Sequence, residues 1–519
     1  MTPSVVIIIA KQNNRGIIAQ DKKFVNMVVH DVSHLIHMAI LSDKKWTFVY
    51  SEGHSMLMNE TFFRAFTNHP NIPGIVDEIM YINKHGNQTC YMPWSEIMKV
   101  REQGKMFFDQ AYMIQFQKEI KRCAKRFAFF WNEYKKIDFS KITNKKLLQV
   151  FKKYIECLEP MLAYYQVSGG RSYPLLEEYV KKKMGKILEV DELEENYAMV
   201  LTSTVPDLLE TEEMALLKLS DSKNLTDKKL LGHASNFAYA YLSTYENTEI
   251  LKSLGQRIGE LKNKHGNYKN YVTELRQRKN NVFKKQNEIM TKLTDDKDLV
   301  DLANFLRVQG KLRFDYKEWF FGAEYKFLNI FNEIARRINL PVEKYMAIYR
   351  EQDTERFLLE DKKLTAAERK IREKIFIFLQ IDGGKFFYTG QEAKNIEQQA
   401  FATQINKTTE VKGIIANPGV VRGKAHVILP KSFTYLQKAM HKFKKGEILI
   451  TTMTQPNLLL IMKKAAAIVT NQGGVTSHAA VLSREIGIPC VVGTLTATDL
   501  FKTGDLIEVD ATKGVVKRV

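Results

Sequence analysis

Short runs of β-branched and aromatic residues open the chain, and long stretches with an apolar residue every three or four positions follow. SVVIIIA (Ser4 to Ala10), WTFVY (Trp46 to Tyr50) and EIMYINKHGNQTCYMP (Glu78 to Pro93) have strand character. The last contains His85-Gly86-Asn87, a hairpin turn whose type the letters leave open. Residues 1–105 therefore predict a small α/β region. From 106 to 380 the period becomes helical. KLLQVFKKYIECLEPMLAYY (Lys146 to Tyr165) keeps that step throughout. In LRFDYKEWFFGAEYKFLNIFNEIARRINLP the residues Leu312, Tyr316, Trp319, Ala323, Phe327, Ile330, Ile334 and Ile338 fall on one stripe, and Asn339 to Pro341 supplies a stop. Ile250 to Leu293 reads as two polar amphipathic helices broken near His265-Gly266-Asn267. With no sustained heptad, a helical hairpin is expected rather than a coiled coil.

Residues 381–410 have the glycine and polar content of a connector with one helix inside. From Val411 onward short β-runs recur (KAHVIL, EILITT, AAIVT, CVVG, DLIEVD, GVVKRV), punctuated by glycines. The expected architecture is multidomain α+β: an N-terminal α/β region (1–105), a large mainly helical domain (106–380), a linker (381–410) and a compact C-terminal module (411–519).

Composition narrows the functional classes. A chain of 519 residues exceeds one hydrophobic core, and 45% apolar with 26% charged residues marks folded protein. A formal charge of +19 favours anionic partners, but the lysines are spread along the chain and no reader motif accompanies them. The charge therefore reads as solvated helix faces, and nucleic acid is not an expected partner. Cys90, Cys123, Cys157 and Cys490 form no CxxC pair, which fits neither a zinc cluster nor a disulfide framework and suits a reducing cytoplasm. SVVIIIA is too short for a membrane span and lacks the flanks of a signal peptide, so a cytoplasmic protein with no membrane partner is expected.

Two histidine segments carry candidate chemistry. In HDVSHLIH, His30, His34 and His37 lie at i, i+4 and i+7, compatible with metal ligation on one helix face. No carboxylate motif accompanies them and Val32, Leu35 and Ile36 are apolar, so packing is the expected role and no metal is assigned. In NQGGVTSHAAVLSREIGIPCVVG (Asn471 to Gly493), Gly473-Gly474 permits a tight path and His478 opens a helix-forming run that Gly487 and Pro489 end. There free backbone N–H groups and the positive end of the helix attract anions, and Thr476 or Ser477 can cap or donate a hydroxyl. Arg484 can add a charge-assisted contact or hold the module together. An imidazole so placed suits phosphoryl transfer, yet the same residues equally suit a capping or packed histidine.

GGVTSHAAVLSREIGIPCVVG resembles the signature of the phosphohistidine swivelling, or mobile, domain of the PEP-utilising enzymes, among them phosphoenolpyruvate synthase, pyruvate phosphate dikinase and rifampin phosphotransferase. GIIANPGVVRGKAHVI (Gly413 to Ile428), Lys445 to Gly474, and TGDLIEVDATKGVVKRV resemble the domain's opening strands, its middle and its closing strands. The resemblance implies a β/β/α swivelling domain at 411–519 with His478 phosphorylated. It also implies that Gly473, Gly474, Thr476, Ser477 and Arg484 support the phosphate. More faintly, WFFGAEYKFLNIFNEIARRINL and Lys344 to Leu359 are similar to the central helical region of rifampin phosphotransferase.

The implied function is a phosphotransferase component. His478 would carry a phosphoryl group from a nucleotide or phosphoenolpyruvate-type donor site to a small-molecule acceptor in the helical domain, with 381–410 as hinge. No glycine-rich phosphate loop is found and no barrel follows the signature. The expected donor is therefore a separate ATP-grasp polypeptide holding Mg2+ and ATP, with no cofactor bound by this chain. The alternative is a non-catalytic binding or regulatory protein that keeps the module for docking.

Overall fold

The computed structural model describes residues 41, 43–52, 55–69, 72, 75–167, 173–189, 193–241, 247–320, 322–401, 409–429, 439, 442–454, 458–471, 478–494 and 496–519. The apolar run from Ser4 and the trio His30, His34 and His37 lie outside them.

A five-stranded antiparallel sheet joins two distant parts of the chain. β1 (Trp46–Glu52), β2 (Ile79–Lys84) and β3 (Asn87–Pro93) pair with β4 (Ile375–Ile381) and β5 (Gly384–Thr389) in the order β1-β3-β2-β4-β5. His85 (φ 50°) and Gly86 (φ 82°) make the β2–β3 turn, the paired positive φ of a type I′ hairpin. Asp382 (φ 49°) and Gly383 (φ 72°) repeat the device between β4 and β5. β4 is buried along its whole length. Ile375, Ile377, Leu379 and Ile381 face a core with Ala393, Ile396 and Ala400 of the helix Gly390–Phe401. Phe376 and Phe378 face the main helical core. Burial on both faces is why IFIFLQI shows no polar alternation. Residues 381–410, read from the letters as a connector, thus contain the end of β4, all of β5 and a packed helix as far as Phe401.

The main core runs from Tyr50 to Phe378, so the two sequence zones 1–105 and 106–380 share it. Its centre is aromatic. Phe327 stacks on Phe130 (4.9 Å between centroids) and meets Phe127 and Tyr154 edge-on at 5.3 and 5.2 Å. Such pairs add about 0.5–1.5 kcal/mol each beyond burial. The stripe from Leu312 to Ile338 is divided among three helices, Lys297–Phe320, Ala323–Lys326 and Leu328–Ile338. The break falls at Gly322, whose N–H donates to the carbonyl of Lys317 (3.3 Å). A Cβ there would lie 2.3 Å from the carbonyl of Glu318, so the turn requires glycine. Asn339 then caps the last helix in the left-handed region, as the expected stop. The hairpin Asn247–His265 and Tyr268–Lys292 turns at Gly266 (φ 77°) and packs Leu254, Leu261, Tyr271 and Leu275 into a separate core. Among the described residues no helix is long and apolar enough to cross a membrane.

The last 110 residues form a second sheet. β6 (Glu410–Lys412), β7 (Ile414–Asn417), β8 (Val420–Val427), β9 (Ile448–Thr451), β10 (Ala467–Thr470), β11 (Cys490–Val492), β12 (Leu506–Asp510) and β13 (Val515–Arg518) lie in the order β6-β13-β12-β8-β9-β10-β11-β7. β8 is shared between two pairings: its first half runs antiparallel to β12, and its end runs parallel to β9. β9, β10 and β11 continue in parallel. Side chains alternate in these strands as a pleat requires. Leu449, Ile468, Cys490 and Val492 face a core with the helix His478–Ile486. Ile448, Ile450, Ala467, Val469 and Val491 face the strands β12 and β13 through Ile507, Val509 and Val516.

Candidate functional site

β9, β10 and β11 end together, and the chain leaving β10 returns as the helix His478–Ile486. Ligands of parallel sheets bind outside the carboxyl ends of the strands, where such returning helices begin. His478 is the first residue of this helix, whose first turn contains no acidic residue and whose last turn contains Arg484. That charge order favours an anion over a cation at the helix start.

The helix is fixed by its other faces. Ala479, Ala480 and Leu482 are buried against the sheet, and full burial of a leucine contributes about 1.5–3 kcal/mol. Ser483 turns its hydroxyl onto the carbonyl of Ala480 (3.0 Å), so it is satisfied without solvent. Beneath, the Cys490 thiol lies 3.9 Å from the carbonyl of Ala479, and burial pushes its pKa up to about 11. It is a neutral packing group, not a nucleophile. Gly487 (φ 70°) ends the helix, and the N–H of Ile488 donates back to the carbonyl of Ser483 (3.0 Å), a Schellman closure. Asn417 of β7 locks this end by donating Nδ2 to the carbonyl of Ile488 (2.8 Å).

The strand ends supply hydroxyls and one amide. Thr451, Thr452, Thr470 and Thr494 are buried there. The N–H and Oγ1 of Thr494 both donate to the carbonyl of Thr470 at 3.0 Å. Thr452 Oγ1 has no hydrogen-bond partner among the described residues. Asn471, the first residue after β10, is buried and donates its N–H to the carbonyl of Thr451 (3.0 Å). The sequence reading missed Asn471, Asn417 and the threonines. The signal was present in ANPG, TTMT and VTN, where polar residues close strand-like runs.

Of the residues expected to hold phosphate, His478 stands at the helix start, and Gly473, Gly474, Thr476 and Ser477 lie outside the described residues. Arg484 follows His478 by six residues, about 240° around the helix and about 9 Å along it, and its Nε donates to the carbonyl of Ala480 (3.0 Å). It belongs to a different face of the helix from His478. Among the described residues no group of three His, Cys, Asp or Glu could hold a metal ion.

Comparison with known proteins converges on this region. Residues 443–514 match the family model described as PEP-utilising enzyme, mobile domain. Phosphoenolpyruvate synthase of Pyrococcus furiosus is 43% identical over 139 residues, covering 26% of this chain and 16% of that protein. The probable phosphoenolpyruvate synthase of Staphylothermus marinus is 50% identical over 106 residues, covering 20% and 12%. The chain spans less than a fifth of the length of these curated relatives. Among solved structures, a chain of Thermococcus kodakaraensis aconitase X (holo-form) matches 22% of this chain and 99% of its own at 17% identity, with a TM-score of 0.17, too slight to carry an argument. The matched range omits β6, β7 and β8, yet β8 and β7 pair with its strands β9 and β11.

Proposed function

We propose that this protein, whose residues 443–514 match the mobile-domain model of PEP-utilising enzymes, is a phosphotransferase component whose carrier is His478. The observation that carries the reading is that His478 heads a helix at the carboxyl edge of parallel strands, with no acidic residue in its first turn. An imidazole nitrogen there attacks the donor's phosphorus as the donor's P–O bond breaks and its oxygen leaves with the electron pair, and helix N–H groups stabilise the added negative charge. Transfer to the acceptor breaks the N–P bond, and the electron pair returns to the ring. Carrying the group on a histidine lets loading and delivery use separate pockets and keeps the labile phosphoramidate from water.

On this reading the donor site belongs to a separate ATP-grasp polypeptide with Mg2+ and ATP, and the acceptor is a small molecule held by the helical region. Strand β5 pairs with β4 and the helix Gly390–Phe401 packs on the first sheet, which argues against a pivot within 381–401. The test is incubation with a candidate ATP-grasp partner and labelled ATP. Acid-labile, base-stable label on the wild type and its loss in His478→Ala are expected. Label retained by His478→Ala, or none on the wild type with any partner that turns over ATP, refutes the reading.

A further inference from the structure

Two of the concavities among the described residues lie outside the C-terminal sheet. One, of about 390 Å3, lies at the end of the helix Leu328–Ile338, and its one ionised side chain, Arg336, is already bound to Glu333 (2.7 Å). The other, of about 300 Å3, is built differently. The helix Gln110–Tyr134 contributes Arg122 and Arg126 one turn apart on one face, with Cys123 beside them. The helix Asn144–Val167 contributes Pro160 and Tyr164, also one turn apart. Asn68 and His69, just past the end of the helix Met56–Thr67, form the third wall.

That third wall is held from behind. Glu159 accepts from Arg64 Nε (2.7 Å) and Asn68 Nδ2 (3.5 Å) and lies 3.3 Å from His69 Nε2. Lys385 donates to the Asn68 side-chain oxygen. The floor is uncharged: burial pushes the Cys123 thiol up to about 11 and the Tyr164 phenol up to about 12. Ile72 and Pro160 complete it. Of the two cations at the rim, Arg126 is the less engaged. Arg122 is held by Glu119 through Nε and a terminal nitrogen, at 2.8 and 2.6 Å, but its side chain is 74% exposed, so an anion competes with Glu119 for it. For Arg126 the carboxylate of Glu156 stands 4.0 Å away, beyond hydrogen-bond range, and Glu156 lies closer to Lys153 (3.3 Å). An uncharged floor beside two guanidinium groups one turn apart is the pattern of a small-ligand site, and the volume is that of a small-molecule pocket.

We propose that this cavity binds a small organic anion, its apolar body seated on Ile72, Cys123 and Pro160 and its one carboxylate or phosphate group held by Arg122 and Arg126. The site does not depend on the phosphoryl-carrier reading of His478. The experiment is ligand-observed NMR titration of the full chain with benzoate, phenyl phosphate and benzyl alcohol, which share a body and differ in the head. At least one anion is expected to bind ten-fold or more tightly than the alcohol, and the preferred anion identifies the carboxylate or the phosphate class. Arg126→Gln should weaken that anion about ten-fold, and Arg122→Gln with Arg126→Gln should reduce it to the alcohol's affinity. Both side chains reach solvent, and an unchanged thermal melt verifies the fold of the variants. His478→Gln should bind like the wild type, which separates this site from phosphoryl transfer. Equal binding of anion and alcohol, or an anion affinity that survives the double substitution, overturns the proposal.

Discussion

Asn471 and Thr498 hold each other at both ends of one side chain. Asn471 Nδ2 donates to Thr498 Oγ1 at 2.7 Å, and Asn471 Oδ1 accepts from the N–H of Thr498 at 3.1 Å. Since Asn471 also donates its N–H to Thr451, the residue ties β9, β10 and the helix Ala497–Leu500 into one unit. It stands seven residues before His478, so it fixes where the path to the helix begins.

Replacement of Asn471 by Ala removes the acceptor of the half-buried Thr498 N–H and the bond to its hydroxyl, a loss of about 0.5–1.5 kcal/mol for each bond. Hydrogen exchange should then show the Thr498 amide ten-fold or more less protected, with the amides of β2 and β4 unchanged. Unaltered protection at Thr498 would remove the anchoring role.

A second anchoring contact joins two segments that look unrelated in the sequence. Asn417-Pro418-Gly419 closes β7, and Gly487-Ile488-Pro489 leaves the helix of His478. Gly419 sits at φ 140°, and a Cβ on it would lie 2.6 Å from Pro489 Cγ. Gly419→Ala should cost the C-terminal sheet about 2 kcal/mol or more, by strain and overpacking together. Gly504→Ala serves as its control, because φ is 102° there and no atom lies within 4 Å of the added carbon. It should cost only the backbone part, about 1 kcal/mol. Limited proteolysis across a urea series compares the two, and equal losses would argue against the contact with Pro489.

These examples mark what the letters could carry. Short apolar runs between glycines placed the strands of the C-terminal module, and helical periodicity placed the hairpin. Patterning failed at β4 and β5, where IFIFLQI is buried on both faces and no alternation survives. Asp382-Gly383 was the legible signal, a hairpin dipeptide between two apolar runs. The Leu312 to Ile338 stripe misled for the opposite reason. Its period continues through a break that depends on Gly322 and the contact across it. At the candidate site, His478 was found as a motif residue, whereas Asn471 and Asn417 act through partners 27 and 71 positions away. Such pairings become visible only when the chain is folded.

That contact across the break is an ion pair. Lys326 Nζ lies 2.6 Å from Glu318 Oε1, with both side chains almost wholly buried. It also lies over the rings of Trp131 and Trp319 at 4.5 and 5.1 Å. Glu318 accepts in addition from the N–H groups of Ala238 and Tyr239 at 2.9 Å. Lys326→Met leaves a buried carboxylate without its cation and should cost about 3–5 kcal/mol, seen as a lower urea midpoint in tryptophan fluorescence. Adding Glu318→Gln should recover a large part of that loss. A neutral Lys326→Met would show that the pair does not hold the break.

Acid should act on the cluster around Arg64 in two opposing ways. Burial tends to raise the Glu159 carboxyl, but the His69 imidazole 3.3 Å away and the Arg64 guanidinium hydrogen-bonded to it outweigh that and hold the pKa below its ordinary value. A depressed folded pKa contributes stability that is complete above the unfolded value, about 4.3, and is lost as pH falls through the folded one. Glu351, on the far side of Arg64, is shifted the other way: burial raises it and Arg64 only partly offsets that. Its contribution therefore improves as pH falls through its raised value. Glu159→Gln should flatten the decline of the urea midpoint between pH 5 and 3, and Glu351→Gln should steepen it. The two variants share a neighbourhood and a neutral replacement, so opposite changes in slope cannot come from general destabilisation. A wild-type slope in Glu159→Gln would mean that its hydrogen bonds persist in the unfolded chain or contribute nothing to folding.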